Sequence, residues 1–284
     1  MTRLGYVGGD PSRHIDAALS VQTFDDLQDR LDEVDAVVLT SRPSTADALK
    51  AAKAKKHLLI EKPFAQSSEK LRALLQTCRE NGVLLMPNLP MRFLPSIQVV
   101  HESLTSGKVG KPGLVRIHHW ASTAFPPVQD TVALSELDLA LWMYQCLPSH
   151  VYALRGSERH TLQVHLGFPD RGLSLLAIPA LLHYESVYCA LSLIGSKGAA
   201  YNDDHHNMQL LYRDERTPRA LKTAEGRGHF RRMTLEFIKA IEQNREPSPN
   251  GEDALRALQV VEAVNESIRS NGAMLLQGDH YEQV

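Results

Sequence analysis

Lys62 is the side chain of this sequence best placed to do chemistry. It stands in Glu61-Lys62-Pro63, directly after the apolar run His57–Ile60. A lysine there offers a compact positive charge, on a backbone that the next residue, a proline, stiffens. Such a charge suits an oxyanion that develops during a reaction. Gly8 and Gly9 form a second candidate, because glycines at the exit of a strand let backbone N–H groups approach a phosphate. Their spacing departs from G-x-G-x-x-G: the two glycines are adjacent, the third is absent, and Asp10-Pro11 follows. His205-His206, after Asp203-Asp204, has the composition of a metal cluster. Adjacent side chains diverge on any regular backbone, so these four read as a solvated turn and no metal site is expected. Cys78, Cys146 and Cys189 are odd in number, far apart and without ligand spacing, which predicts reduced thiols in a cytoplasmic protein.

The elements that must position Lys62 are legible around it. Asp35–Thr40 and the His57–Phe64 segment each open on an apolar run of the length of a strand buried on both faces. Ser44–Lys55, between them, is rich in Ala and Lys and suits a helix. Strand, helix and strand make a crossover of a parallel sheet. Ligands of such sheets lie beyond the carboxyl ends of the strands, so Ser41, Arg42, Pro43 and Glu61 are predicted to line a site with Lys62. Arg42 has three partners open to it: a phosphate, an acidic substrate or Glu61.

Before this crossover, Arg3–Gly9 reads as a strand entering a glycine turn, and Asp10-Pro-Ser as the start of a short helix to about Leu19. Val21-Gln-Thr is at most a very short strand and Phe24–Leu31 a polar helix. After it, Ser67–Asn81 is a capped helix with Leu71, Leu74 and Leu75 on one face, and Val83–Met86 is a buried strand leading to Asn88. From Leu114 the period changes. Leu114–Trp120, Leu162–Phe168 and Ser186–Leu193 alternate as strands of an antiparallel sheet with one covered face. A helix near Ser135–Tyr144 interrupts them, and Ile194–Tyr201 reads as a turn and strand. His118, His119 and His150 fall on or beside these strands and read as strand or surface residues, with recruitment to a site as the alternative. Helices over Phe230–Asn244 and after Pro249-Asn-Gly-Glu-Asp close the chain, the latter with a core stripe of Leu255, Leu258, Val261 and Val264.

Asp35-Ala-Val-Val-Leu, Pro43, His57-Leu-Leu-Ile-Glu-Lys-Pro-Phe, the helix after Ser67, and Met91-Arg-Phe-Leu-Pro running to a glycine-rich exit together resemble the Gfo/Idh/MocA family. The resemblance covers residues 35–284. It implies an α/β fold: a shortened Rossmann-like parallel sheet domain over 1–88, then an α+β domain with an open antiparallel sheet over 89–284. It implies an NAD(P)-dependent oxidoreductase of sugar-like or polyol substrates, with Lys62 catalytic, Asn88 near the nicotinamide and Arg92 near the substrate. Family dehydrogenases pair this lysine with an Asp-x-x-x-His on the helix of the second domain, whose imidazole takes up the hydroxyl proton. Here Thr131 and Ser135 fall at those two positions, Asp130 is one residue away, and Glu136 points about 100° round the helix. A serine hydroxyl does not titrate near neutral pH and cannot replace the base.

The N-terminal glycines admit two alignments with the family. Either Gly8-Gly9 is a collapsed first glycine turn, or Val7-Gly8-Gly9-Asp10 matches the second strand with its ribose-binding acid. Both remove part of the pyrophosphate cradle, so weak or absent binding of NAD or NADP is expected. A non-catalytic relative that binds a ligand or serves an accessory role is the rival reading.

Composition removes other classes. A net charge of −2 gives nucleic acid no electrostatic footprint. The longest apolar stretch, Leu173–Leu182, is broken by Pro179 and falls short of the ~20 residues of a membrane helix. No export leader is legible. The expected partners are a small sugar-like molecule and, through the uncovered sheet face, a further copy of the chain.

Overall fold

The structure, a computed structural model, describes residues 2–8, 21–24, 27, 30–40, 44–122, 133–156, 161–181, 188–203, 208–213, 219–222, 228–278 and 280–283. The predicted helix from Asp10 to Leu19 and much of Phe24–Leu31 lie outside them. The chain divides into two compact units: Met1–Phe93 with Gly226–Leu258, and Leu94–Glu225 with Gln259–Val284.

The first unit is built on a parallel sheet of β1 (Leu4–Val7), β2 (Val21–Phe24), β3 (Ala36–Leu39), β4 (His57–Ile60) and β5 (Leu85–Pro87). Its order is β2-β1-β3-β4-β5. β2, expected to be very short if present, pairs with β1 along all four residues, Leu4 opposite Val21 to Val7 opposite Phe24. On β3 and β4, seven of eight residues are buried, His57 being half-buried, as two covered faces require.

α1 (Thr45–Lys53) makes the β3–β4 crossover, and α2 (Ser68–Glu80) the β4–β5 crossover. Each starts where a serine hydroxyl accepts a backbone N–H: Ser44 from Asp47 at 3.0 Å, Ser67 from Lys70 at 3.2 Å. α2 buries Leu71, Leu74, Leu75 and Cys78, and Gly82 follows it at φ 65°, a conformation glycine adopts without strain. The face of Leu4, Tyr6, Ala36, Val38, Leu59 and Met86 is covered by Met233, Phe237 and Ile238 from α5 (Gly228–Glu242). α6 (Gly251–Ser270) opens on a reciprocal cap: Asn250 Oδ1 accepts from Asp253 N, and Asp253 Oδ2 accepts from Asn250 N, both at 3.0 Å.

The second unit begins with α3 (Pro95–Thr105) and holds a ten-stranded sheet. In chain order its strands are β6 (Pro112–Ser122), β7 (His150–Arg155), β8 (Thr161–Gly167), β9 (Leu173–Leu181), β10 (Tyr188–Gly195), β11 (Gly198–Asp203), β12 (Met208–Arg213), β13 (Arg219–Lys222), β14 (Met274–Gln277) and β15 (His280–Gln283). Their order across the sheet is β13-β12-β11-β10-β6-β9-β8-β7-β14-β15. The sheet is mostly antiparallel, as expected, with one exception: β6 and β9 run parallel, Leu114 opposite Leu173. The apolar stretch from Leu173 is thus a central strand. α4 (Leu134–Tyr144) packs over β6 and β9. It meets the face of Val115, Ile117 and Leu176, and on β8 the buried Leu162, Val164 and Leu166 alternate with exposed Thr161, Gln163 and His165. Ser267, fully buried on α6, ties two segments of this unit. Its hydroxyl accepts from Ala153 N at 2.9 Å and donates to Gly272 O at 2.6 Å.

Candidate functional site

The carboxyl ends of the parallel strands collect polar groups on an otherwise apolar sheet. β1 leaves through Gly8, at φ 74°. Thr40, the first residue past β3, donates its N–H to Val7 O at 3.1 Å, and its hydroxyl reaches the carbonyls of Val7 and Gly8. Glu61, the first past β4, donates its N–H to Leu39 O at 2.9 Å, and Asn88, the first past β5, to Ile60 O at 2.8 Å. These last rungs set Glu61 and Asn88 side by side, and the Asn88 amide donates to Glu61 Oε1 at 3.2 Å. Lys62 follows Glu61 and is half-buried. Glu61 and Asn88 are thus brought together within the first unit, and Lys62 is the next residue in the chain.

Arg92, expected near the substrate, has a holding role in the structure. It is 3 % exposed and donates from Nη1 to Asp253 Oδ2 at 3.2 Å, joining the Pro90–Phe93 turn to the cap of α6. Burial alone would push the Asp253 carboxyl up, but the Arg92 charge, the Asn250 N–H and Arg256 together hold it below the usual carboxylate range. Gly9, Asp10, Ser41, Arg42, Pro43, Asp130, Thr131 and His205-His206 lie outside the described residues. Among the described residues no group of three or more His, Cys, Asp or Glu could hold a metal ion.

In the second unit Ser135 is buried in the first turn of α4 and brings no titrating group. The residue beside it does. Glu136, 1 % exposed, places Oε1 against Nδ1 of His119, near the end of β6. From the sequence Glu136 reads as turned round the helix, and His119 as a strand or surface residue with recruitment to the site as its alternative. One signal was available: Val115, Ile117 and His119 share the core face by alternation, and a histidine on such a face needs a polar partner.

Do the described residues suit a nicotinamide dinucleotide? At the strand ends they do, since Glu61 and Asn88 offer an acceptor and an amide where ligands of parallel sheets bind. Gly8 supplies a left-handed turn out of β1, as a phosphate loop requires. The stretch that would complete a pyrophosphate cradle, 9–20, falls outside the described residues.

A parallel sheet with polar strand ends, followed by a large, mostly antiparallel sheet, defines a Rossmann-type unit joined to an α+β unit. Residues 7–89 match the model for the oxidoreductase family's NAD-binding Rossmann fold, and residues 178–276 the model for its C-terminal alpha/beta domain. The chain belongs to the Gfo/Idh/MocA family. It is 22 % identical to a myo-inositol 2-dehydrogenase of Thermotoga maritima, over 97 % of this chain and 96 % of the relative. Among solved structures, a UDP-N-acetylglucosamine 3-dehydrogenase of Acidithiobacillus ferrooxidans superposes with a TM-score of 0.82 at 21 % identity, covering 95 % of this chain and 98 % of that one. A levoglucosan dehydrogenase in complex with NADH and L-sorbose gives 0.84 at 14 % identity, with 97 % and 99 % covered. These two likenesses establish the fold.

The Arg92–Asp253 pair gives a test of what holds α6. Replacing Arg92 by Met should cost about 3 kcal/mol near neutral pH, toward the low end for a broken buried pair because Arg256 still reaches Asp253. A depressed folded pKa means that the carboxylate stabilises fully above its unfolded value of about 3.9 and ceases to do so as pH falls through the folded value. The deficit of the variant, read by urea unfolding, should therefore shrink in acid. A deficit that stays constant down to about pH 3 would show that the pair is not its source.

Proposed function

We propose that this chain is an NAD(P)-linked oxidoreductase of a polyol or sugar-like substrate, with Lys62 its retained catalytic group. The observation that carries the reading is the cluster of Lys62, Glu61 and Asn88 at the strand ends, in a chain aligned almost end to end with a dehydrogenase of myo-inositol. A bound dinucleotide would supply the acceptor for a hydride from the carbinol carbon. Gly8, Glu61 and Asn88, with Gly9, Asp10, Ser41, Arg42 and Pro43, would hold it, while Asp130, Thr131 and Ser135 belong to the substrate half of the proposal. Lys62 donates to the substrate oxygen and offsets negative charge as it develops there. Its removal as Lys62→Ala should lower kcat/KM by about a hundred- to a thousandfold, measured as NAD+ or NADP+ reduction with myo-inositol. Parental rates in that variant would remove Lys62 from the chemistry.

The dinucleotide is held weakly in this proposal. If Gly8-Gly9 is the first glycine turn, Asp10 follows it with a carboxylate that repels a diphosphate and Pro11 has no N–H to donate; if Asp10 is instead the ribose-binding acid, the phosphate loop is missing. Losing two or three contacts of about 1–3 kcal/mol each takes a micromolar site to the millimolar range. Calorimetry with NAD(H) and NADP(H) should find millimolar dissociation constants, and a low micromolar value would overturn the weak-binding claim. The rival reading, a non-catalytic ligand-binding relative, draws support from buried Ser135, which stands where the family carries its imidazole. Absence of any turnover together with tight polyol binding would favour that reading.

The chain is further proposed to pair with a copy of itself. Leu154, Leu173 and Ile194 are 40 %, 52 % and 38 % exposed, and the strand registers place all three on one face of the second sheet. Sedimentation should give a dimer or a larger assembly at tens of micromolar, and a strict monomer would count against the pairing.

A further inference from the structure

We propose that His57 is an acid-sensitive clasp within the first unit: its neutral ring holds the start of β5 against β4, and a proton on that ring releases it. The inference goes beyond the oxidoreductase reading and does not depend on it. Leu84, the residue before β5, donates its backbone N–H to Nδ1 of His57 at 3.0 Å, and its carbonyl accepts from Leu58 N at 2.8 Å. Both backbone groups of Leu84 are therefore spent on the β4 side, one of them on a side chain. β5 itself is only three residues long, Leu85–Pro87, so the ladder that seats it is short. At its far end the strand leads into Asn88, which meets Glu61.

A ring nitrogen accepts a hydrogen bond only while it carries no proton. Once the imidazole is charged, Nδ1 is a donor that faces the Leu84 N–H, so the amide loses its acceptor or the segment moves away. The surroundings favour the neutral ring. His57 is half-buried, and burial holds its pKa below the ordinary 6.5, while the charge of Asp35 offsets only part of that effect. Asp35 is engaged by Arg3 at 2.7 Å, which keeps its carboxyl below the usual range and charged throughout. Lys56, just before His57, gives Nζ to Val34 O at 3.0 Å. From the β5 side, Gly82, Val83 and Leu84 bring no titratable group. At the end of α2 the Cys78 thiol is pushed up to about 12, Arg79 pairs with Glu252, and Glu80 accepts from Gln76. Among these groups His57 is the one that changes charge between about pH 5 and 8. Because its folded pKa is lowered, the clasp contributes fully above the unfolded value of 6.5 and is lost as pH falls through the folded value. Acid thus loosens the join of β4 to β5, and with it the seat of Asn88 beside Glu61.

The test is hydrogen exchange of the whole chain, read amide by amide by NMR between about pH 5 and 8 and corrected for intrinsic rates. The His57 ring should titrate below 6.5. In step with it, protection of the Leu84 and Leu58 amides should fall about tenfold or more from neutral to acid pH. Glu61 N–H, which donates to Leu39 O on the β3 side, should keep its protection and serves as the internal control. His57→Asn retains an acceptor oxygen near the place of Nδ1 and cannot titrate, so Leu84 should stay protected at every pH in that variant. His57→Phe offers no acceptor and should leave Leu84 poorly protected even where the parent is most protected. Should either variant fail to fold, the exchange profile of the parent decides alone. Leu84 protection that follows the Glu61 control across the range overturns the proposal. So does a His57 ring that titrates at or above 6.5, a His57→Asn chain with the parental pH dependence, or a His57→Phe chain as well protected as the parent.

Discussion

The placement of β4 between two parallel partners is the constraint on which the rest of the first unit depends. His57–Ile60 is in register with Ala36–Leu39 on one side, and Leu58–Ile60 with Leu85–Pro87 on the other. Side chains alternate faces along a strand, so a slip of one residue would turn every apolar residue of β4 to the wrong side. That cost locks the register, and the register fixes where the chain emerges. Glu61 and Asn88 meet because they make the last rungs of adjacent ladders, and Lys62 is held one residue further on. These strand-end groups inherit their position from the apolar runs that precede them.

The sequence made some of this legible and hid the rest for physical reasons. The crossover around α1 could be read because four-residue apolar runs, a helix-forming spacer and serine caps are all local signals. The same holds for α2 and for the cap at Asn250. The second sheet was harder. Alternation identifies a strand and its covered face, yet it names neither the neighbour nor the direction, so the parallel pairing of β6 with β9 left no trace. β7 and the hairpin of β14 and β15 went unread because their short alternations adjoin turn residues and resemble loops. The site divides in the same way. Glu61, Lys62 and Asn88 follow predictable strands, whereas Arg92 finds its carboxylate 161 residues away and His119 finds Glu136 across a packed helix.

These two buried carboxylates each find a partner on another element. Asp253 faces a guanidinium, which keeps its charge at every pH the protein meets, and lies in a cap that starts a helix. That pair works as a fastener. Glu136, in the first turn of α4, faces the imidazole of His119. That pair joins α4 to β6, the strand it packs on.

The composition of the first unit bears on how the chain is made. Its sheet is finished by α5, whose Met233, Phe237 and Ile238 cover Leu4, Tyr6, Ala36 and Val38. Translation delivers the strands first, and residues 94–225 must leave the ribosome before that cover arrives. During the interval a fully apolar sheet face has no lid of its own, the kind of surface that aggregates or recruits chaperones. Synthesis from the N-terminus therefore cannot complete the first unit first. The nascent chain carries an unfinished core past residues 94–225, most of the second unit, before its earliest strands are sealed.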